Sequence, residues 1–190
     1  MKSWPLPRRI EAGFALLVLV AVFVGLLSLW RIRGISGNVS VMAENSVPSV
    51  VTTNRIIQTN LIAARAARRA MLDATDKPGS EGPAIEATER VIREGNELVA
   101  AYPALIVNDT ERKLFRDAVA ARDGLMEVIQ GGLKLIRDGK ADESRVVLRD
   151  KLDPAVEATL EKFNEVVKFN ADVADLQAEL ARENVRSSFL

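Results

Sequence analysis

The chain of 190 residues contains neither cysteine nor histidine. Their absence excludes disulfides, thiolate and imidazole metal ligands, cysteine nucleophiles and the most common general base. Carboxylate or lysine chemistry remains, but no catalytic constellation of such residues is evident, so we expect a protein that is not an enzyme and needs no cofactor. Basic and acidic residues balance at 26 each, so the composition does not favour a nucleic-acid partner.

Charge is also missing from one long stretch, residues 12–30, which is almost entirely apolar. A helix of this length spans roughly 28 Å, close to the thickness of the hydrocarbon core of a bilayer. The stretch is too long for the apolar part of a signal peptide, and it has no small-residue cleavage site. We therefore predict a transmembrane helix within a first region at 1–33. Basic residues are slightly more numerous before it than after it, which favours a cytoplasmic N terminus.

Strand signals are absent from the rest of the chain, which has no alternating β-branched run and no Asn-Gly hairpin. Turn signals at 76–83, 102–108 and 137–140 separate amphipathic segments of helical period. These segments run from about Ile35 to Thr75, from Pro83 to Tyr102, from Asp109 to Arg137, and from Ala141 onward. We predict an all-α fold in which the transmembrane helix continues into an antiparallel up-down four-helix bundle at 34–186. The last four residues, 187–190, are expected to begin a second, truncated transmembrane helix.

Several single residues refine these segments. Asn108 is a suitable N-cap, and Glu111 three residues later completes a capping-box pattern. Gly139 suits a helix C-cap, and Pro154 predicts a kink or a fresh start inside the fourth segment. Asn170 lies on the apolar side of that segment, where one buried asparagine can set the register of the helices.

Arginines lie close to the apolar stripe that we predict for the first segment. At 100° per residue, Arg68 lies about 20° and Arg65 about 40° from Leu61, with Arg69 at the margin. A charge near the core needs a partner, because an unpaired buried charge costs several kcal/mol. That partner is either a ligand carboxylate or an acidic residue of the fourth segment, and otherwise the arginines are solvated. The predicted stripe consists of Val47, Val50, Asn54, Ile57, Leu61, Ala64 and Leu72, and the candidate acidic partners are Asp150, Asp153, Glu157 and Glu161.

The order of these features resembles the methyl-accepting chemotaxis receptors of the aspartate and serine type. The resemblance rests on the stretches RRIEAGFALLVLVAVFVGLL, NSVPSVVTTNRIIQTNLIAARAARRAMLDAT, RDGKADESRVVLRDKLDPAVEATLEKF and FNADVADLQAELA. It implies a homodimer in the bacterial inner membrane, with a periplasmic ligand-binding bundle and with cytoplasmic signalling partners reached through a further C-terminal part. Two other readings remain open: the input domain of a sensor histidine kinase or nucleotide cyclase, and a membrane-tethered helical adaptor.

The resemblance also implies a ligand site. Arginines on the first periplasmic helix of that family hold the carboxylates of the ligand at the dimer interface. The matching stretch implies Arg65 and Arg69 as carboxylate clamps and places Asn60 at a third position of the site, where we expect a polar contact. Arg68, which lies nearest the predicted stripe, is expected to be a second clamp or an interface residue. Since Asn60 stands where a third arginine is expected, the implied ligand is a small carboxylate or amino acid, and aspartate itself is not implied.

Overall fold

The computed structural model describes residues 13–27 and 45–186, which are helical apart from short connections. The helices are α1 (13–27), α2 (Val47–Asp76), α3 (Gly82–Ala101), α4 (Asp109–Arg137) and α5 (Ala141–Arg186), and a short 3-10 helix at Tyr102–Leu105 follows α3. No strand occurs within these two ranges. The all-α prediction is therefore confirmed.

The chain divides into two compact units, Met1–Met42 with Leu176–Leu190, and Ala43–Asp175. In the first unit, the residues of α1 are all exposed. Of the helices in the described part of the chain, none combines the length and the apolar character needed to cross a membrane. The predicted membrane stretch also includes residues 12 and 28–30, and these lie outside the described residues, as do 31–44 and 187–190.

In the second unit, α2, α3, α4 and α5 enclose a common core and form an antiparallel four-helix bundle. Hydrogen bonds join neighbouring helices: Arg122 of α4 donates to Asn60 of α2 and to Asn96 of α3. The hydroxyl of Thr159 on α5 donates to the carbonyl of Ala121 on α4 at 3.2 Å. The predicted bundle of four helices is confirmed.

The predicted helix boundaries agree with the structure at several places. Asn108 Oδ1 accepts a hydrogen bond from the backbone N–H of Glu111 at 2.8 Å, as the capping pattern predicts. After α4, Gly139 has a φ of 74°, a left-handed conformation that glycine adopts without steric penalty. Pro154 does not begin a new helix, because α5 continues through it without interruption.

One of two core clusters, which we call the alanine end, lies where α2 ends and α5 begins. A row of alanines on α2 packs there against leucine and isoleucine side chains of α4 and α5. Gly132 of α4 allows close approach of α5, since a Cβ at this position would lie 3.1 Å from Leu148 Cδ1. The principal residues of the cluster are Ala63, Ala67, Ala70, Ala74, Leu125, Ile129, Leu133, Leu148 and Leu152.

The other cluster, the aromatic end, consists of Ile56, Tyr102, Phe115, Ala118, Phe163 and Val166. The rings of Tyr102 and Phe115 stack with their centroids 4.1 Å apart. Phe163 meets Phe115 edge-on at a centroid distance of 6.3 Å. Such aromatic pairs add about 0.5–1.5 kcal/mol to the free energy gained from burial alone.

The buried face of α2 is not the predicted stripe. Of the seven residues predicted to form that stripe, only Ala64 is buried, whereas Val47 and Leu72 are exposed. The core positions of α2 are instead occupied mainly by small residues, which allow neighbouring helices to approach closely. These buried residues are Ser49, Thr53, Ile56, Thr59, Asn60, Ala63, Ala64, Ala67, Ala70, Met71 and Ala74.

Candidate functional site

The three predicted arginines of α2 all lie on the surface of the bundle. Arg68 donates to Asp153 of α5, and the two side chains are 54% and 64% exposed. Arg69 Nε donates to Asp73 Oδ2 at 2.8 Å, and this hydrogen bond raises the pKa of Arg69. The expectation that Arg65 and Arg68 lie near the core is wrong. The sequence left three alternatives for the partner of Arg68: a ligand, an acidic residue of the fourth segment, or solvent. The structure shows the second of these, an ion pair with Asp153.

Arg68 lines a groove of about 380 Å³ between α2 and α5 at the alanine end. Its apolar lining comes from both helices, and its charged lining contains three arginines and one aspartate. Arg149 Nε donates to Asp150 at 2.8 Å, whereas no described acidic residue forms an ion pair with Arg145. This excess of positive charge suits an anion. The lining residues are Arg68, Met71, Leu72, Arg145, Val146, Leu148, Arg149 and Asp153.

Arg145 and Arg149 were not predicted from the sequence. Their spacing contains a usable signal, because residues 145, 149 and 153 recur every four positions and therefore share one face of a helix. Combined with Arg68 on the antiparallel helix α2, this spacing would have indicated a groove with more positive than negative charge.

A second surface feature, which we call the outer seam, runs along the exposed side of α2. Its members alternate in steps of four and three residues, the heptad spacing of a coiled-coil interface. Three of them are large aliphatic residues exposed to solvent, and Leu72 also lines the groove. The seam consists of Val51, Arg55, Gln58, Ile62, Arg65, Arg69 and Leu72.

Asn60, the fourth predicted site residue, lies inside the bundle and does not share a surface with the arginines of α2. Its Oδ1 accepts a hydrogen bond from Arg122 Nε at 3.0 Å. Arg122 Nη2 also donates to Asn96 Oδ1 at 2.8 Å. Burial lowers the pKa of Arg122, and the charge of the adjacent Asp123 opposes this effect.

Arg122 was not predicted as a functional residue, although its position in the sequence contains a signal. The apolar residues Ala118, Leu125 and Ile129 lie four before, three after and seven after it, so an arginine falls within the core stripe of α4. Together with Thr59, Asn60 and Thr159, which are also buried, it forms a polar layer between the two core clusters. The threonine hydroxyls of this layer donate to backbone carbonyls of Ile56, Ala155 and Ala121.

A hydrogen-bonded network is buried at the aromatic end around Glu111. Glu111 Oε1 accepts from the hydroxyl of Tyr102 at 2.8 Å and from Asn170 Nδ2 at 3.1 Å. Its other oxygen accepts from the backbone N–H of Val107 at 3.2 Å. Burial is the main cause that raises the pKa of Tyr102 to about 12. The predicted placement of Asn170 on the buried side of α5 is confirmed, and the network joins α5 to the connection between α3 and α4.

The remaining acidic residues do not form a metal site: within 13–27 and 45–186, no group of three or more acidic side chains is arranged to hold a metal ion. Residues 7–185 match the family of four-helix-bundle sensory modules for signal transduction. No curated protein matches the chain.

Proposed function

Since the chain belongs to the family of four-helix-bundle sensory modules for signal transduction, we propose that it is the input part of a bacterial chemoreceptor that binds a small organic anion. The family is a sensory module of methyl-accepting chemotaxis proteins, in which it serves as a periplasmic sensor of a membrane receptor. The proposal has three further parts: the bound ligand, the homodimer and the membrane anchor. Each part is supported by a separate feature of the chain.

The groove between α2 and α5 carries the ligand assignment. Arg145 provides an arginine without an ion-pair partner among the described residues, and Arg68 can exchange the exposed carboxylate of Asp153 for one on a ligand. A guanidinium holds a carboxylate by two parallel hydrogen bonds. Met71 and Leu148 form an apolar floor beside these charges. The groove therefore suits a small carboxylate or amino acid with a short apolar part.

The outer seam supports a homodimer. Val51, Ile62 and Leu72 are exposed on α2 at heptad-related positions, and a second copy of the same helix would bury them. Because Leu72 belongs to both the seam and the groove, a partner subunit on the seam would lie next to the bound ligand. Arg65 and Arg69 are seam residues, and we assign them to contacts with the partner or with the ligand at this border.

The apolar stretch at residues 12–30 supports a membrane anchor, with the bundle in the periplasm. In this assignment the chain has no enzymatic activity of its own and binds no nucleic acid, and its signal reaches cytoplasmic partners across the membrane. A ligand shifts helix arrangements only by its differential affinity for them. Coupling free energies of about 1–3 kcal/mol are typical of allosteric proteins.

The test is a thermal-shift and calorimetric titration of the whole chain in detergent micelles with a panel of mono- and dicarboxylates and amino acids. We expect Arg145→Ala and Arg68→Ala each to weaken binding about tenfold or more, because each removes a charged hydrogen-bond donor. Arg90→Ala, an exposed arginine on α3 outside the groove, is the matched control and should leave binding unchanged. Undiminished binding in both groove variants, with helicity preserved, would contradict this site.

A further inference from the structure

Arg122 holds its positive charge inside the bundle without a neutralising carboxylate. The residue is only 3% exposed. Its two hydrogen bonds go to neutral amide oxygens of Asn60 and Asn96. None of the ion pairs among the described residues includes it. Buried charges in proteins are normally paired, so the environment of Arg122 favours an anion.

A second, independent observation concerns Asn60, the residue that accepts from Arg122 Nε. Asn60 Nδ2 is buried and has no hydrogen-bond partner, although the oxygen of the same amide is bonded to Arg122. Buried donors without acceptors are rare in folded proteins. Arg122 and Asn60 Nδ2 both donate, so the group that suits both of them is an acceptor. The charge of the guanidinium favours an anionic acceptor.

Asn96 links Arg122 to the surface of the bundle, because its Oδ1 accepts from Arg122 Nη2 at 2.8 Å. It is exposed and lines a groove of about 500 Å³ between α3 and α4. Gly95, the preceding residue, places no side chain in front of the guanidinium, and a Cβ there would lie 2.9 Å from Arg122 Nη2. Rotation of the exposed Asn96 side chain would free Arg122 Nη2 from its acceptor on the groove side.

The groove itself has an excess of positive charge. Arg137 donates to Glu89, so these two charges neutralise each other. Arg93 also lines the groove, and it belongs to none of the ion pairs of the described residues. Arg93 and Asn96 are three positions apart on α3 and so lie on the same face. Ile92 and Leu133 provide apolar surface beside them.

We propose that this groove is a second anion site, which holds a small carboxylate between Arg93 and the buried Arg122. One carboxylate oxygen replaces Asn96 as the acceptor for Arg122 Nη2, and the other accepts from Arg93. The amide of Asn60 supplies a further donor at the inner end. The short hydrocarbon part of the ligand lies on Ile92 and Leu133. This site goes beyond the proposed function, because it lies between α3 and α4 and shares no residue with the groove between α2 and α5.

The test uses the whole chain in detergent micelles, carrying Arg68→Ala and Arg145→Ala so that the other groove is disabled. Sodium acetate and sodium succinate are titrated against sodium chloride at equal ionic strength, with the thermal midpoint and the Nε–H resonance of Arg122 as readouts. We expect a saturable rise of the midpoint and a shift of that resonance with at least one carboxylate. The absence of a saturable response to both would overturn the proposal, whatever the result for the first groove.

Arg122→Met separates the site from general salt effects, because methionine fills the space of the arginine without its charge. The substitution leaves the buried Asn60 Oδ1 without its donor, so we expect a lower thermal midpoint, and circular dichroism establishes that the variant is folded before the titration. It should weaken the response to the carboxylate about tenfold or more. Arg116→Met, an exposed arginine on the same helix, is the matched control and should respond as the parent does. Equal responses of the two variants would overturn the site.

Asn60→Asp provides a test that does not depend on loss of binding. The substituted carboxylate would accept from Arg122 Nε where Asn60 Oδ1 accepts now, at 3.0 Å. It would thus act as a built-in anion and would also remove the unpartnered Nδ2. We expect a higher thermal midpoint without added carboxylate and a reduced response to acetate and succinate. A lower midpoint, or a full response, would contradict the role given to Asn60 and Arg122.

Discussion

The alanine end and the aromatic end of the bundle are made from the same helices but are held together by different interactions. At the alanine end, small side chains of α2 fit against leucine and isoleucine, and dispersion contacts dominate beside a buried hydrogen bond from Ser144 Oγ to the carbonyl of Gly132 at 2.9 Å. At the aromatic end, three rings pack in stacked and edge-on pairs, and the two oxygens of Glu111 accept three hydrogen bonds. The stability of the alanine end therefore depends mainly on how well the side-chain volumes fit together. The stability of the aromatic end depends on hydrogen-bond partners for its buried polar groups.

This difference has a consequence for the proposed receptor. The groove assigned to the ligand lies at the alanine end, where the helices pack mainly through apolar side chains and the ion pair of Arg68 with Asp153 is exposed. The network at the aromatic end joins Tyr102, Glu111 and Asn170, and so it connects α5 to the segment between α3 and α4. We infer that small adjustments on ligand binding occur more readily at the alanine end.

Glu111→Ala should have the largest effect. The substitution leaves the donors of Tyr102, Val107 and Asn170 without an acceptor in a buried site. We expect the free energy of unfolding to fall by about 3–5 kcal/mol. Urea denaturation followed by circular dichroism measures it, with Glu127→Ala, an exposed glutamate of the same helix, as the control that stays within about 0.5 kcal/mol. A loss below about 1 kcal/mol would show that the network does not hold the aromatic end.

Ala67→Leu tests the alanine end for its dependence on volume. Ala67 is fully buried within the cluster, and three added carbon atoms must displace neighbouring helices. We expect destabilisation by about 1–3 kcal/mol, since overpacking strains a well-packed core. The same substitution at Ala120, which is exposed on α4, should change stability by less than about 0.5 kcal/mol. If Ala67→Leu behaves like Ala120→Leu, the alanine end is loosely packed and the comparison fails.

High pH should loosen the aromatic end selectively. The pKa of Tyr102 is raised from 10.0 to about 12 in the folded protein, so the unfolded chain loses the proton first. The contribution of Tyr102 to the free energy of unfolding is complete below pH 10 and is lost as the pH rises from 10 to about 12. We expect this loss to be about 1–2 kcal/mol.

Tyr102 is the only tyrosine of the chain, so the ultraviolet absorbance of tyrosinate reports its ionisation alone. The Tyr102→Phe variant removes this contribution and leaves the titration of the lysines as the background. A tyrosinate midpoint near pH 10 in the folded protein would mean that the hydroxyl is accessible to water.

The ion pair of Arg68 and Asp153 should have the smallest effect on stability. Both side chains are largely exposed, and exposed pairs contribute about 0.2–1 kcal/mol. A double-mutant cycle of Arg68→Ala and Asp153→Ala should therefore give a coupling below about 1 kcal/mol that decreases with added salt. A larger coupling would indicate that the pair is structural, and Arg68 would then be less available to a ligand.

The helix boundaries could be predicted from the sequence because local chemistry determines them. Asn108 followed by Glu111 specified the start of α4, and Gly139 specified the connection to α5. The orientation of α2 could not be predicted in the same way. Hydrophobic periodicity counts alanine and the larger aliphatic residues alike, so it did not separate the buried Ala67 and Ala70 from the exposed Ile62.

The candidate site was predictable only in part for a related reason. The stripe assigned to α2 was rotated, and so Arg68 was expected near the core although it pairs with Asp153 on the surface. Asn60 was expected at a ligand, and its bond to Arg122 depends on which helix lies opposite, which one sequence does not specify. Arg145 and Arg149 become informative only once α5 is placed next to Arg68.

The polar layer between the two clusters limits how far the helices of the bundle can slide. A displacement of α4 by one helical turn, about 5.4 Å, would move Arg122 into one of the two apolar clusters and break its bonds to Asn60 and Asn96. Burying the unpaired guanidinium there would cost several kcal/mol. The polar layer therefore limits sliding of α4 along its axis. As long as Arg122 keeps its hydrogen bonds to Asn60 and Asn96, this helix can move by only a fraction of a turn.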